Sequence, residues 1–136
     1  MFIKYFKVFI YLIVTTMVSA SHAGAYEDFF AAVNRDDAQT VAELLKRGFD
    51  PNARSPDGQT ALHLALRDQS PRVAEALWLH AALDVDALNG SAETPLMIAA
   101  LRGRLDWARR LLERGAKAHQ AGWSPLHYAA TGSEPQ

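Results

Sequence analysis

The amino-acid sequence predicts an all-α solenoid of helix-turn-helix pairs joined by hairpin-like loops, preceded by a signal peptide. Three observations carry this expectation. A six-residue pattern occurs three times, as Thr60-Ala61-Leu62-His63-Leu64-Ala65, Thr94-Pro95-Leu96-Met97-Ile98-Ala99 and Ser124-Pro125-Leu126-His127-Tyr128-Ala129, at steps of 34 and 30 residues. Between the copies, apolar residues recur at helical spacing and are punctuated by Gly, Asn-Gly and Asp-Gly. The first residues form a basic, then apolar, then small-residue sequence of the kind removed on export.

The export signal comes first. Met1 to Lys7 carries Lys4 and Lys7 without an acid, Val8 to Val18 is almost unbroken apolar, and Ser21-His22-Ala23 places small residues before a cleavage point. Cleavage is expected after Ala23, with Ala20 as the second choice. An uncleaved anchor is the competing reading, but the apolar run falls short of the roughly 17 residues that span a bilayer. No Cys is present, which removes lipid acylation, disulfides and thiolate metal sites together. Loss of residues 1–23 leaves 12 basic and 15 acidic side chains, a balance that attracts neither nucleic acid nor an anionic membrane.

Residues 24–54 read as an N-terminal capping helix pair. Phe29, Phe30, Ala31, Ala32 and Val33 form the expected buried face of its first helix, and Val41, Leu44 and Leu45 that of its second. Asp36-Asp37 between them is expected to act as a capping pair. Lys46 and Arg47 suit the negative end of the second helix, and Gly48 its left-handed exit.

Residues 55–87 form the first full repeat. Thr60 is placed to cap a helix from Ala61 to about Asp68; Ser70 and Pro71 are placed to cap and begin a second helix through Val73, Leu77 and Trp78. Residues 88–119 repeat the plan with Thr94, Pro95, Gly103 and Gly115. Residues 120–136 make a partial repeat with a first helix only, so that Leu126, Tyr128 and Ala129 have one neighbour to pack on. Either the coding sequence continues, or that edge frays or is covered by a partner or a second copy.

These three in-phase motifs resemble the T-P-L-H-x-A signature of ankyrin repeats, whose period is roughly 33 residues. The resemblance spans about residues 26–130. It implies inter-repeat hydrogen bonding by His63 and His127. It also marks departures: Gln69 stands where Gly usually turns the chain between helices, Ala81 where Gly usually ends the second helix, and Lys117 where Asp is preferred in the loop charge network.

No nucleophile elbow, phosphate loop, dinucleotide fingerprint or metal-ligand spacing occurs, so neither catalysis nor a cofactor nor a metal is expected. Trp78 and Trp107 are expected in the core. Trp123 is either a binding anchor or folded onto its neighbour. The family resemblance implies a protein partner, held on a concave strip and loop tips formed by Arg54, Asp57, Gln59, Arg67, Asp68, Glu93, Leu101, Arg102 and Trp123. The expected function is a non-enzymatic interaction module exported to the periplasm, which binds, and regulates or protects, a partner. The alternative is an N-terminal structural piece of a longer repeat protein that binds nothing itself.

Overall fold

The computed structural model describes residues 24–118. Within them lie six helices: α1 (24–34), α2 (Ala38–Lys46), α3 (Ala61–Arg67), α4 (Pro71–Trp78), α5 (Pro95–Leu101) and α6 (Leu105–Glu113). The export signal, Trp123, His127 and the partial repeat lie outside the described residues.

The helix starts follow from local chemistry. The Thr60 hydroxyl accepts from the His63 N–H and the Thr94 hydroxyl from the Met97 N–H at 3.2 Å, each satisfying an orphan donor of the first turn. Pro71 and Pro95 occupy the first helical positions, where no N–H is needed. Asp37 caps α2 by accepting from the Thr40 N–H at 3.1 Å and its hydroxyl at 2.7 Å. Those two bonds hold the Asp37 carboxyl below its usual pKa.

One cap differs from expectation. Ser70 occupies the N-cap of α4, but its hydroxyl makes no cap bond and instead donates to the Val33 carbonyl at 3.3 Å. The vacant role is filled from the preceding repeat, where Asp36 Oδ1 accepts from the Val73 N–H at 2.9 Å. Asp36 and Asp37 therefore cap two different helices, one repeat apart. The turn that lets Asp36 do so is left-handed, with φ +55°. Gln69 makes the corresponding turn at φ +58° and Gly103 at φ +68°, so the Gln69 backbone is driven into a region that suits Gly.

The elements form two stacked layers. α3 packs on α5 in one layer and α2 on α4 in the other, while α3–α4 and α5–α6 close each pair. One continuous core runs through them, with Phe29, Val41, Leu62, Val73, Leu77 and Leu111 removed from solvent. Ala31 corrects the expected buried face: it is exposed, because five consecutive residues go more than once around a helix and one must face out. Trp107 is buried and Trp78 half-buried, and their rings meet edge to face at 5.4 Å between centroids.

The exits differ among repeats for a readable reason. α2 and α6 leave through Gly48 and Gly115, at φ +97° and +100°. α4 lacks such a Gly, and carbonyls at its end and just beyond it are bonded from outside: Arg114 donates to the Trp78 carbonyl at 2.5 Å and the His80 carbonyl at 2.7 Å. The same guanidinium lies over the Trp78 ring, 4.6 Å from its centroid.

Beyond those exits, a ladder of side-chain acceptors joins the repeats. Asn52 Oδ1 accepts from the Asp84 N–H at 2.7 Å, and Asp86 Oδ1 from the Lys117 N–H at 2.8 Å. Lys117 joins this network through its backbone, so its departure from the preferred Asp leaves the rung intact.

Candidate protein-binding surface

The loops that link the helix pairs are built from short polar residues that bond to their own backbone. In the first, Arg54 and Thr60 form an isolated antiparallel bridge, the Ser55 N–H donates to the Gln59 carbonyl at 2.8 Å, and the Gly58 N–H donates to the Ser55 carbonyl at 2.9 Å. In the second, the Asn89 N–H donates to the Glu93 carbonyl at 3.0 Å, and the Ala92 N–H donates to the Asn89 carbonyl at 3.0 Å. Both are the tight reversals that Asp57-Gly58 and Asn89-Gly90 predict.

Neighbouring loops are fastened to each other. Arg54 Nη1 donates to the Gly58 carbonyl of its own loop at 3.1 Å and to the Leu88 carbonyl of the next. Asn89 uses its whole side chain: Oδ1 accepts from the Ser91 and Glu93 N–H groups at 2.9 Å. Its Nδ2 donates to Gln59 Oε1 at 3.2 Å and Glu93 Oε2 at 2.9 Å. Gly58 and Gly90 meet back to back, and a Cβ at Gly90 would stand 2.7 Å from the Asp57 carbonyl oxygen.

Beneath this edge, His63 ties the helix layer to the loop. Its Nε2 lies 2.9 Å from the Glu93 carbonyl, which can only accept, so Nε2 carries the proton; Nδ1 then accepts from the Thr60 hydroxyl at 2.7 Å. Burial pushes the imidazole pKa below its usual value, which keeps the ring neutral. At the matching position, Met97 offers only a thioether, which accepts from the Thr94 N–H at 3.5 Å within its own repeat. The bridge expected of His63 is therefore present, and among the described residues Met97 makes no counterpart of it.

The residues expected to meet a partner fall into two groups. Arg54, Gln59 and Glu93 spend their polar atoms on the loop network just described, and Gln59 and Glu93 are half-buried. Asp57, Asp68 and Arg102 are exposed, while Leu101 and Arg67 are half-buried at the ends of α5 and α3. Arg67 and Asp68 form a two-bond ion pair at 3.0 and 3.1 Å. Asn89 was legible only as a turn former; that it is 7% exposed and saturated with bonds follows from its neighbours, not from its sequence context. No group of three or more His, Cys, Asp or Glu that would hold a metal exists among the described residues, and no helix there is long and apolar enough to cross a membrane.

A family model of ankyrin repeats in three copies matches residues 29–120 and again 77–135. The chain belongs to the ankyrin-repeat family. Among its relatives are the nuclear factor NF-kappa-B p105 subunit of Gallus gallus, 32% identical over 113 residues, covering 82% of this chain and 12% of that protein. The transient receptor potential cation channel subfamily A member 1 of Homo sapiens is 30% identical over 102 residues, or 73% of this chain and 9% of its own length. The E3 ubiquitin-protein ligase XB3 of Oryza sativa subsp. japonica is 33% identical over 103 residues, 73% of this chain and 22% of that one. The chain thus spans only a small part of the length of each of these proteins, between 9% and 22%.

Proposed function

We propose that this ankyrin array is a non-enzymatic, exported binding module that captures one protein partner in the periplasm and regulates or protects it. The observation that supports capture is the fastening of adjacent loops. Arg54, Asn89 and the Gly58–Gly90 contact fix two loop tips relative to each other before any partner arrives. Preorganised contact residues lose little entropy on association, so the exposed Asp57, Asp68 and Arg102 are the better candidates for direct contact than the bonded Gln59 and Glu93 beside them. Export rests on the basic-apolar-small order of residues 1–23.

Crosslinked affinity capture from periplasmic extract tests the first part, with tagged wild type beside an Asp57→Ala, Asp68→Ala, Arg102→Ala variant. A protein retained by the wild type and lost by the variant is expected, with circular dichroism unchanged. Equal recovery on both would remove this surface from the proposal. Export is tested by expressing the full chain and sequencing the N-terminus of the periplasmic product, expected at Gly24; retention of Met1 in the membrane fraction would overturn it.

A further inference from the structure

Two grooves run side by side along the second helices of the array, and they are built differently. The groove between α4 and α6 is bridged. Arg110 bonds Glu75 through both carboxylate oxygens, at 2.5 and 2.9 Å, and its guanidinium lies 4.1 Å from the Trp107 ring centroid. Trp107 reaches Trp78, and Arg114 reaches the end of α4.

One repeat earlier, the positions of Trp107, Arg110 and Arg114 are held by Val73, Ala76 and His80. Val73 and Ala76 are too short to bridge, and His80 turns its Nδ1 to accept from the Ala82 N–H at 3.2 Å. The groove between α2 and α4 therefore stays open, with a volume of about 600 Å³. Its surface is mostly apolar, with Ala38, Ala42, Leu45, Ala76 and Leu79 among the residues that line it, and Leu79 is 86% exposed. A large apolar side chain so exposed beside a concave apolar wall is the arrangement of an interface anchor.

Charge says what fits there. Lys46 and Arg72 line the groove at opposite ends, and neither has an acidic partner among the described residues. The acid that lines it, Glu75, is matched by Arg110, and Glu43 on α2 lies off the lining with its Oε1 accepting from Gln39. In repeat register, Arg72 corresponds to Gln39, seven residues before Lys46. At 1.5 Å per helical residue the two cations are about 10 Å apart along the groove.

We infer that this groove docks an amphipathic helical segment of a partner protein, with acidic residues at i and i+7 bracketing apolar residues at i+3 and i+4. The acids meet Arg72 and Lys46, and the apolar pair packs on the alanines beside Leu79. A second copy of the chain is a poorer match, since the acids seven apart on α6, Asp106 and Glu113, have Arg109 and Arg110 between them. The surface is separate from the loop edge described above and does not rest on it.

The test uses the full chain and a fluorescein-labelled, helix-constrained peptide with Glu at i and i+7 and Leu at i+3 and i+4. Its control has Lys at both charged positions. Fluorescence anisotropy at low salt is expected to show saturable binding of the Glu peptide only. The Lys46→Glu, Arg72→Glu variant should bind the Glu peptide about tenfold more weakly and gain affinity for the Lys peptide, while Leu79→Ser weakens both complexes and Asp28→Ala, at an exposed position on α1, changes neither. Absence of saturation, or indifference to charge reversal, would overturn the proposal. Sedimentation of the chain alone provides the remaining outcome: a dimer abolished by Leu79→Ser would assign the groove to a second copy instead.

Discussion

Replacing Gln69 by Gly should stabilise the protein, although it deletes a side chain and adds no contact. Gln69 turns the chain between α3 and α4 at φ +58°, where the matching residue of the next repeat is Gly103 at φ +68°. A left-handed backbone costs an ordinary L-residue roughly 1–2 kcal/mol, whereas the freer unfolded chain of a Gly variant returns about 0.4–1 kcal/mol of that gain. The net expectation for Gln69→Gly is about 0.5–1 kcal/mol of added stability, or about 3–6 °C in melting temperature for a domain of this size. Three companions make the argument specific. Gly103→Ala should cost about 0.5–1 kcal/mol through backbone strain alone, because no atom lies within 4 Å of the added Cβ. Asp36→Gly should destabilise despite relieving the same conformation, since Asp36 Oδ1 caps α4 through the Val73 N–H and such caps are worth about 1 kcal/mol. Asp36→Asn, which keeps both the acceptor and the tolerance for this turn, should be close to neutral. Thermal unfolding followed by circular dichroism reads all four. A lower melting point for Gln69→Gly, or a gain for Asp36→Gly equal to it, would refute the reasoning.

Other perturbations separate core, staple and titrating group. Leu96→Ala, at a residue 2% exposed, should cost about 2–5 kcal/mol in chemical denaturation, while Asp57→Ala on the exposed loop tip should stay within about 0.5 kcal/mol; equal shifts would contradict the core assignment. Arg114→Ala should cost about 1–3 kcal/mol by removing the guanidinium donor from the Trp78 carbonyl and leaving the His80 carbonyl with the Leu83 N–H alone, and Arg114→Lys should recover only part of it, because a Lys cannot fork across two carbonyls while stacking on Trp78. The buried His63 has a lowered pKa, so the unfolded chain takes up its proton first: the contribution is full above the unfolded value of 6.5 and is lost as pH falls from there through the folded value. Melting temperature measured from pH 8 to 5 should fall on the acid side, and His63→Met should flatten that slope while lowering stability at pH 8; an unchanged slope would place the pH dependence elsewhere.

How much of this was legible in the sequence depends on the range of the interaction. Thr60 and Thr94 were readable as caps because the donor they serve lies three residues away, and the left-handed Gln69 was readable from its place in the repeat. Ser70 misled for the complementary reason: its local context is that of a cap, yet the Asp36 carboxylate, 37 residues from Val73, reaches the free N–H. Asn89 shows the same limit. Asn-Gly announces a turn, but the bonds to Gln59 and Glu93 that bury its amide depend on the stacking of one loop on the next. Among the expected contact residues, the sequence located the loop tips and helix ends; it did not separate Asp57 and Arg102, which face solvent, from Gln59 and Glu93, which serve the neighbouring loop.

That division bears on how the array holds together. The bonds crossing from one repeat to the next repeatedly end on backbone atoms: Asp36 to the Val73 N–H, Asn52 to the Asp84 N–H, Asp86 to the Lys117 N–H, His63 to the Glu93 carbonyl, Arg114 to the Trp78 carbonyl. A backbone carbonyl is present whatever residue occupies the position, and an N–H at every residue but Pro, so each such link constrains one sequence position closely and the other hardly at all. The receiving positions are left free to vary, which is why Lys117 replaces the preferred Asp without breaking its rung. Asn89–Gln59 and Glu75–Arg110 are contrasting cases, links with side chains on both sides, and the second is charged. The charged link requires both residues and is half exposed to screening by salt. In a one-dimensional array, stability is the sum of repeat and interface contributions, so the α4–α6 interface is the one expected to weaken in salt, while the backbone-directed links between the earlier repeats hold.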